Sequence, residues 1–264
     1  MRKVLLAIAF YLCATPAFAE MKAQPVEWQV GKDRFSGYLV YDDAVDEKLP
    51  GLVMFPNWMG VTELALERAR DVAGDDYVVL VADVYGSDVR PKDTNEAGAT
   101  VSKVYDDGGV RLRERANAAV DALKARAPDL PLDASRIGAF GFCFGGSVAL
   151  ELARSGAPVA GVVSFHGGIE RYLPQDGKSL PASILVLNGA DDTSVTDEQI
   201  VAFKKEMDAI KADWQFVDFS GAVHCFTQPE SNSPPNCVYN ERASKRAFEM
   251  MDDFFEERFA NPAK

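Results

Sequence analysis

The sequence predicts an α/β protein: a mostly parallel, doubly wound sheet with helices on both faces, preceded by an N-terminal β-hairpin. Three observations carry that expectation. Short apolar runs bounded by turn residues recur along the chain, and helical stretches separate them. Strand–helix–strand alternation repeats at least five times, which in one sheet implies right-handed crossovers. The 264 residues are 47% hydrophobic and 26% charged. That length can bury a sizeable core, and those shares exclude a disordered, fibrous or disulfide-scaffold chain.

In chain order, residues 1–19 read as an export signal. Arg2 and Lys3 supply the positive end, Val4 to Leu12 the apolar run, and Ala17-Phe18-Ala19 a small-x-small cleavage site. The run is too short to cross a bilayer of about 30 Å as a helix. Residues 20–264 are then expected to form one domain, exported to the periplasm or secreted, in an oxidising compartment. Val26–Val30 and Phe35–Tyr41 alternate around Gly31-Lys32-Asp33 and predict the hairpin.

Strands buried on both faces are expected at 51–56, 77–82, 136–140, 159–165 and 184–187, where Val, Ile, Leu and Phe run without clean alternation. A further strand is expected at 214–219. Helices are expected at 62–73, 110–126, 147–155, 197–210 and 240–259, with Thr62 and Asp197 as N-caps. Two polar stretches, 83–102 and 220–239, read as long loops, and loops of that length are often functional.

The formal charge is −12, from 40 acidic against 28 basic residues. Such a surface disfavours nucleic acid and anionic membranes as partners. Two histidines lie far apart and no His-Glu-x-x-His occurs, so neither a metal site nor a cofactor is expected. A monomer and a homodimer are both compatible with the sequence.

The most informative segment is Arg136-Ile-Gly-Ala-Phe-Gly141-Phe-Cys143-Phe-Gly145-Gly-Ser147. An apolar strand runs into a helix through Gly-x-Cys-x-Gly, a nucleophile elbow with cysteine in place of serine. Flanking glycines are required because side chains there would strike the neighbouring strand and helix. The turn also sets the sulfur at a helix N-terminus, where the dipole favours a thiolate. A buried apolar cysteine after a strand is the competing reading.

A thiol nucleophile needs a base, and histidine is the usual one. The chain order nucleophile, acid, histidine, with the histidine after the last strand, favours His224 over His166. The acid is expected after strand 184–187, in Asn188-Gly-Ala-Asp191-Asp192. Gly189 in a Gly-x-x-Asp pattern selects Asp192, and Asp191 is the alternative.

These segments resemble the dienelactone hydrolase family of the α/β-hydrolase fold. The resemblance rests on Gly141-Phe-Cys143-Phe-Gly-Gly, Gly189-Ala-Asp-Asp192 and Val223-His224-Cys-Phe226. Pro56-Asn57-Trp58-Met59-Gly60-Val61 and Ala82-Asp-Val-Tyr85 also match in position. It implies hydrolysis of a small ester or lactone through Cys143, His224 and Asp192, with the amides of Phe144 and Trp58 as the oxyanion hole. The chain also departs from that pattern. Asn57 stands where characterised lactone hydrolases carry a glutamate, Gln228 replaces one substrate-gripping arginine, and no arginine stands near Ala97, where the other would fall.

Asn57, Met59, Tyr85, His166 and Phe226 are candidates for the substrate-pocket wall. Cys225 and Cys237 share a proline-rich loop and are expected to pair as a disulfide, leaving Cys143 free. A secreted thiol redox or stress-sensing protein on the same fold is the alternative function, though no Cys-x-x-Cys is present.

Overall fold

The computed structural model describes residues 21–173 and 180–260. The expected export signal lies outside the described residues. The strands are β1 (Met21–Val30), β2 (Asp33–Asp42), β3 (Leu49–Phe55), β4 (Val78–Val81), β5 (Leu132–Phe142), β6 (Gly161–Phe165), β7 (Ser183–Gly189) and β8 (Trp214–Phe219). The helices are α1 (Glu63–Ala73), α2 (Thr94–Val104), α3 (Val110–Lys124), α4 (Phe144–Arg154), α5 (Asp197–Ala209) and α6 (Glu241–Ala260). A small hairpin, β9 (Asn232–Ser233) and β10 (Cys237–Val238), lies between β8 and α6.

The eight long strands form one sheet in the order β1-β2-β4-β3-β5-β6-β7-β8. β1 and β2 make the expected antiparallel hairpin, closed by Gly31 at φ 58°. β2 then docks antiparallel on β4, and all later pairings are parallel. The chain leaves β3 toward β4 and returns on its other side as β5. That reversal opens a crevice beyond the C-terminal ends of β3 and β5, the position at which doubly wound sheets bind ligands.

The parallel strands bury both faces, as their unbroken apolar runs predict. Core residues of α3, α4 and α5 pack one face, with Leu112, Val120, Leu150 and Phe203 in one cluster. Residues of α1 and α6 pack the other, with Leu66, Met251 and Phe255 against Val79 and Phe140. Gly138 shows how tightly α6 sits on the sheet: a Cβ there would come within 2.5 Å of the Phe255 ring.

Three local expectations are corrected. The stretch 83–102 is not one loop, because Asp93 caps α2 by accepting from the amides of Asn95 and Glu96. Gly98 and the polar residues masked that helix, whose packing rests on buried Ala97 and Val104. The cap of α5 is Thr196 rather than Asp197, in a reciprocal capping box with Gln199. α4 starts at Phe144 rather than Ser147, so the helix begins one residue after Cys143.

Candidate active site

The elbow at the end of β5 has the geometry its glycines require. Cys143 has φ 54° and ψ −119°, a strained backbone for a residue with a side chain. A Cβ on Gly141 would strike the carbonyl of Gly145, and one on Gly145 would strike the carbonyls of Phe55 and Pro56. The Cys143 amide donates to Phe165 O at 3.0 Å, tying the turn to β6. The thiol is the free cysteine among the described residues.

His224 reaches the sulfur from the loop after β8. Its Nε2 lies 3.0 Å from Cys143 Sγ, and its Nδ1 lies 2.7 Å from Asp192 Oδ2. Three features hold this loop. Asp191 N donates to Ala222 O at 2.9 Å, Val238 N donates to His224 O at 3.1 Å, and Cys225 is disulfide-bonded to Cys237. Gly189 allows the close approach, since a Cβ there would sit 2.6 Å from Ala222 O.

The electrostatics follow from that geometry. Burial pulls the His224 imidazole toward its neutral form, but hydrogen bonds and charge from Asp192 and Cys143 outweigh it and push its pKa up to about 10. Burial raises the Asp192 carboxyl, yet the His224 contact and the Ser194 amide bring it below the usual carboxylate range. His224 and Asp192 thus stabilise each other's charged forms.

The amide N–H groups of Trp58 and Phe144 donate to no protein acceptor among the described residues. Both flank the crevice, one after β3 and one at the N-terminus of α4. The Trp58 carbonyl accepts from the Tyr85 hydroxyl at 2.9 Å, and the Tyr85 ring stacks on Phe144 at 5.5 Å. Burial, with Cys143 and Asp83 nearby, keeps that hydroxyl protonated by raising its pKa. Asn57 Oδ1 accepts from the Met59 amide at 3.0 Å, while Asn57 Nδ2 faces Gln228 Oε1 at 3.4 Å.

Two expected wall residues lie elsewhere. His166 and Phe226 are fully buried behind His224, with the His166 ring 5.0 Å from that of His224 and 5.3 Å from that of Phe226. They support the histidine loop from its core side and do not face the crevice. His166 Nε2 lies 2.8 Å from Thr227 Oγ1, and burial beside His224 lowers its pKa well below the usual value. With its ring buried and Nε2 held by Thr227, it does not take the place of His224 on the sulfur.

Tyr105 and Tyr172 were not legible as neighbours of the site. They stack at 4.0 Å, and Tyr105 packs edge-on to Phe144. No sequence spacing links them, because a helix end and a distant loop supply them. Arg90, the nearest basic residue upstream of Ala97 apart from Lys92, turns back to Asp83 and Ser36. No group of three or more His, Cys, Asp or Glu among the described residues could hold a metal ion.

A family model for dienelactone hydrolases matches residues 35–259. The chain belongs to the dienelactone hydrolase family. It is a hydrolase acting on ester or lactone bonds. An uncharacterised protein of Caenorhabditis elegans is 36% identical over 160 residues, 57% of this chain and 96% of its own length. A probable 2-oxo-3-(5-oxofuran-2-ylidene)propanoate lactonase of a Bradyrhizobium species is 27% identical over 192 residues, 69% of this chain and 75% of its own. The crystal structure of a dienelactone hydrolase-like promiscuous phosphotriesterase from metagenomic libraries is 37% identical. It covers 92% of this chain and all of its own, with a TM-score of 0.84.

Proposed function

We propose that this member of the family cleaves carboxylic esters or lactones through Cys143 as nucleophile, His224 as base and Asp192 as orienter. The observation that carries the reading is the bridge made by one imidazole, 3.0 Å from the sulfur on one side and 2.7 Å from the carboxylate on the other. A redox role is less well supported. Cys225 and Cys237 are bonded to each other, so neither is free to resolve an oxidised Cys143.

In this mechanism the imidazolium of His224 and the sulfur of Cys143 form the reactive pair. The sulfur attacks the carbonyl carbon, a C–S bond forms, and the carbonyl π electrons move to oxygen. The amides of Trp58 and Phe144 donate to that oxyanion. Collapse expels the alcohol oxygen, which takes the proton from His224 Nε2. The neutral imidazole then removes a proton from water, which attacks the thioester and returns the sulfur to its starting state. Asp192 holds the ring in register throughout. A thioester forms readily from an ester or strained lactone and poorly from an amide, which sets the substrate class.

Wild type should hydrolyse p-nitrophenyl acetate with a burst of nitrophenol, and an intact-mass increment of one acetyl group should fall on Cys143. Cys143→Ala should abolish both. Turnover by Cys143→Ala at the wild-type rate would overturn the reading. We also propose that the protein is exported. The composition of residues 1–19 supports this, and a Cys225–Cys237 disulfide fits an oxidising compartment. N-terminal sequencing of the cell-exported protein should begin at Glu20.

A further inference from the structure

A cavity of about 450 Å³ opens between the start of α1 and the segment that follows the histidine loop. Its lining includes Asn57 and Gln228, whose side chains face each other at 3.4 Å, and Phe142, so it lies beside the chain segments that carry Trp58, His224 and Cys143. Met54, Met59, Leu64, Ala65 and Pro229 give it an apolar character. Its volume lies in the range of small-molecule sites.

The charges around it are unbalanced. Glu67, Asp71 and Glu230 stand against one guanidinium, that of Arg68. Arg68 pairs with one of these carboxylates, Asp71, at 3.5 Å, donates to Thr227 O at 3.1 Å and lies 5.3 Å over the Phe248 ring, so Glu67 and Glu230 set the net charge of the lining. A carboxylate entering this cavity would lose its hydration and meet like charge, whereas an apolar chain would gain by leaving water.

An ester carries two substituents on either side of its reacting carbonyl. On the α3 and α4 side of the crevice stands the aromatic shelf of Tyr85, Phe144 and Tyr105. The cavity lies on the α1 side. We infer that this cavity is a specificity pocket that receives one uncharged, apolar substituent of the substrate and rejects a carboxylate-bearing one. The inference rests on the hydrolytic role of Cys143 and names the substrate class of that same site.

Matched esters test it. p-Nitrophenyl acetate, p-nitrophenyl hexanoate and the mono-p-nitrophenyl ester of adipic acid vary the acyl side. Ethyl acetate, hexyl acetate and the acetate of 6-hydroxyhexanoate vary the alcohol side. On one of the two sides, kcat/KM should rise about tenfold or more with the six-carbon chain, and the terminal carboxylate should remove that gain. Ala65→Phe, which fills the cavity from α1, should bring the chain-length preference within about twofold.

Leu64 is 54% exposed at the rim, so Leu64→Lys is a second variant that does not disturb the core. It should raise the carboxylate-ended ester relative to its uncharged partner by about threefold or more. Equal turnover of charged and uncharged six-carbon esters by wild type would overturn the inference. So would a chain-length preference that survives Ala65→Phe in a variant with native circular dichroism, or no response to Leu64→Lys. Failure of the hydrolytic reading looks different: every ester, acetate included, would turn over no faster than with Cys143→Ala.

Discussion

Asp191 and Asp192 are neighbours in the chain and do different work on the same loop. The Asp191 amide donates to Ala222 O at 2.9 Å while its side chain faces solvent. The Asp192 carboxylate is buried and accepts from His224 Nδ1 at 2.7 Å. One residue fixes where the histidine loop lies, and the next fixes which way its ring points.

Asp192→Asn should therefore lower kcat for ester hydrolysis by about 10²–10⁴, because the amide stabilises neither the required tautomer nor the imidazolium. Asp191→Asn should stay within about twofold, since its contribution is a backbone N–H. Steady-state kinetics on p-nitrophenyl acetate distinguish the two. Equal losses would mean that the acid has been placed on the wrong residue.

The two histidines make an analogous pair. His224→Ala should cost several powers of ten in kcat at unchanged fold. His166→Ala should instead lower stability by about 2–3 kcal/mol, by leaving a buried gap beside Phe226 and an unpaired Thr227 hydroxyl. Its kcat should fall far less. Urea titrations beside kinetics separate these outcomes.

The His224 pKa sets a pH signature for stability. The folded value of about 10 lies above the unfolded value, so the contribution is complete below about pH 6.5. It is lost as pH rises toward about 10. The wild-type melting temperature should thus decline over that window more steeply than that of His224→Gln. Parallel curves for the two proteins would show that the pair is not charged in the fold.

The Cys225–Cys237 bond closes a loop adjoining His224, with a sequence separation of 12 residues. Cys225→Ser with Cys237→Ser should destabilise by roughly 3 kcal/mol on the chain-entropy account. It should also lower kcat, because the histidine backbone is bridged to Cys237 and Val238. Mild reductant should mimic the double substitution. Full activity after complete reduction would show that the hydrogen bonds alone hold the loop.

On α4, Glu151 pairs with Arg113 of α3 at 2.8 Å and with Arg154 at 3.0 Å, and Arg154 pairs with Glu206 of α5 at 2.9 Å. Glu151 and Arg154 are almost entirely buried. Glu151→Ala should cost about 3–5 kcal/mol, because it strands guanidinium charge away from water. Thermal unfolding should drop by on the order of 10 °C.

The sequence by itself determined the strand–helix alternation, the elbow around Cys143 and the chain order Cys143, Asp192, His224. These depend on local chemistry: apolar runs that need two covered faces, and glycines without which the backbone could not pass Phe55 and Gly145. Tertiary structure decided what depends on contacts between distant segments. α2 was hidden because its polar surface carries little periodic signal, and its burial at Ala97 and Val104 arises only on the assembled sheet. His166 and Phe226 looked like pocket residues because they follow strands or adjoin His224, yet packing turned both into the core. The apposition of Asn57 with Gln228, 171 residues apart, and the stacking of Tyr105 on Tyr172 are likewise set by how loops converge at the switch point. Short-range pattern specifies which side chains stand at strand ends; only the packed fold specifies which of them face the substrate and which support from behind.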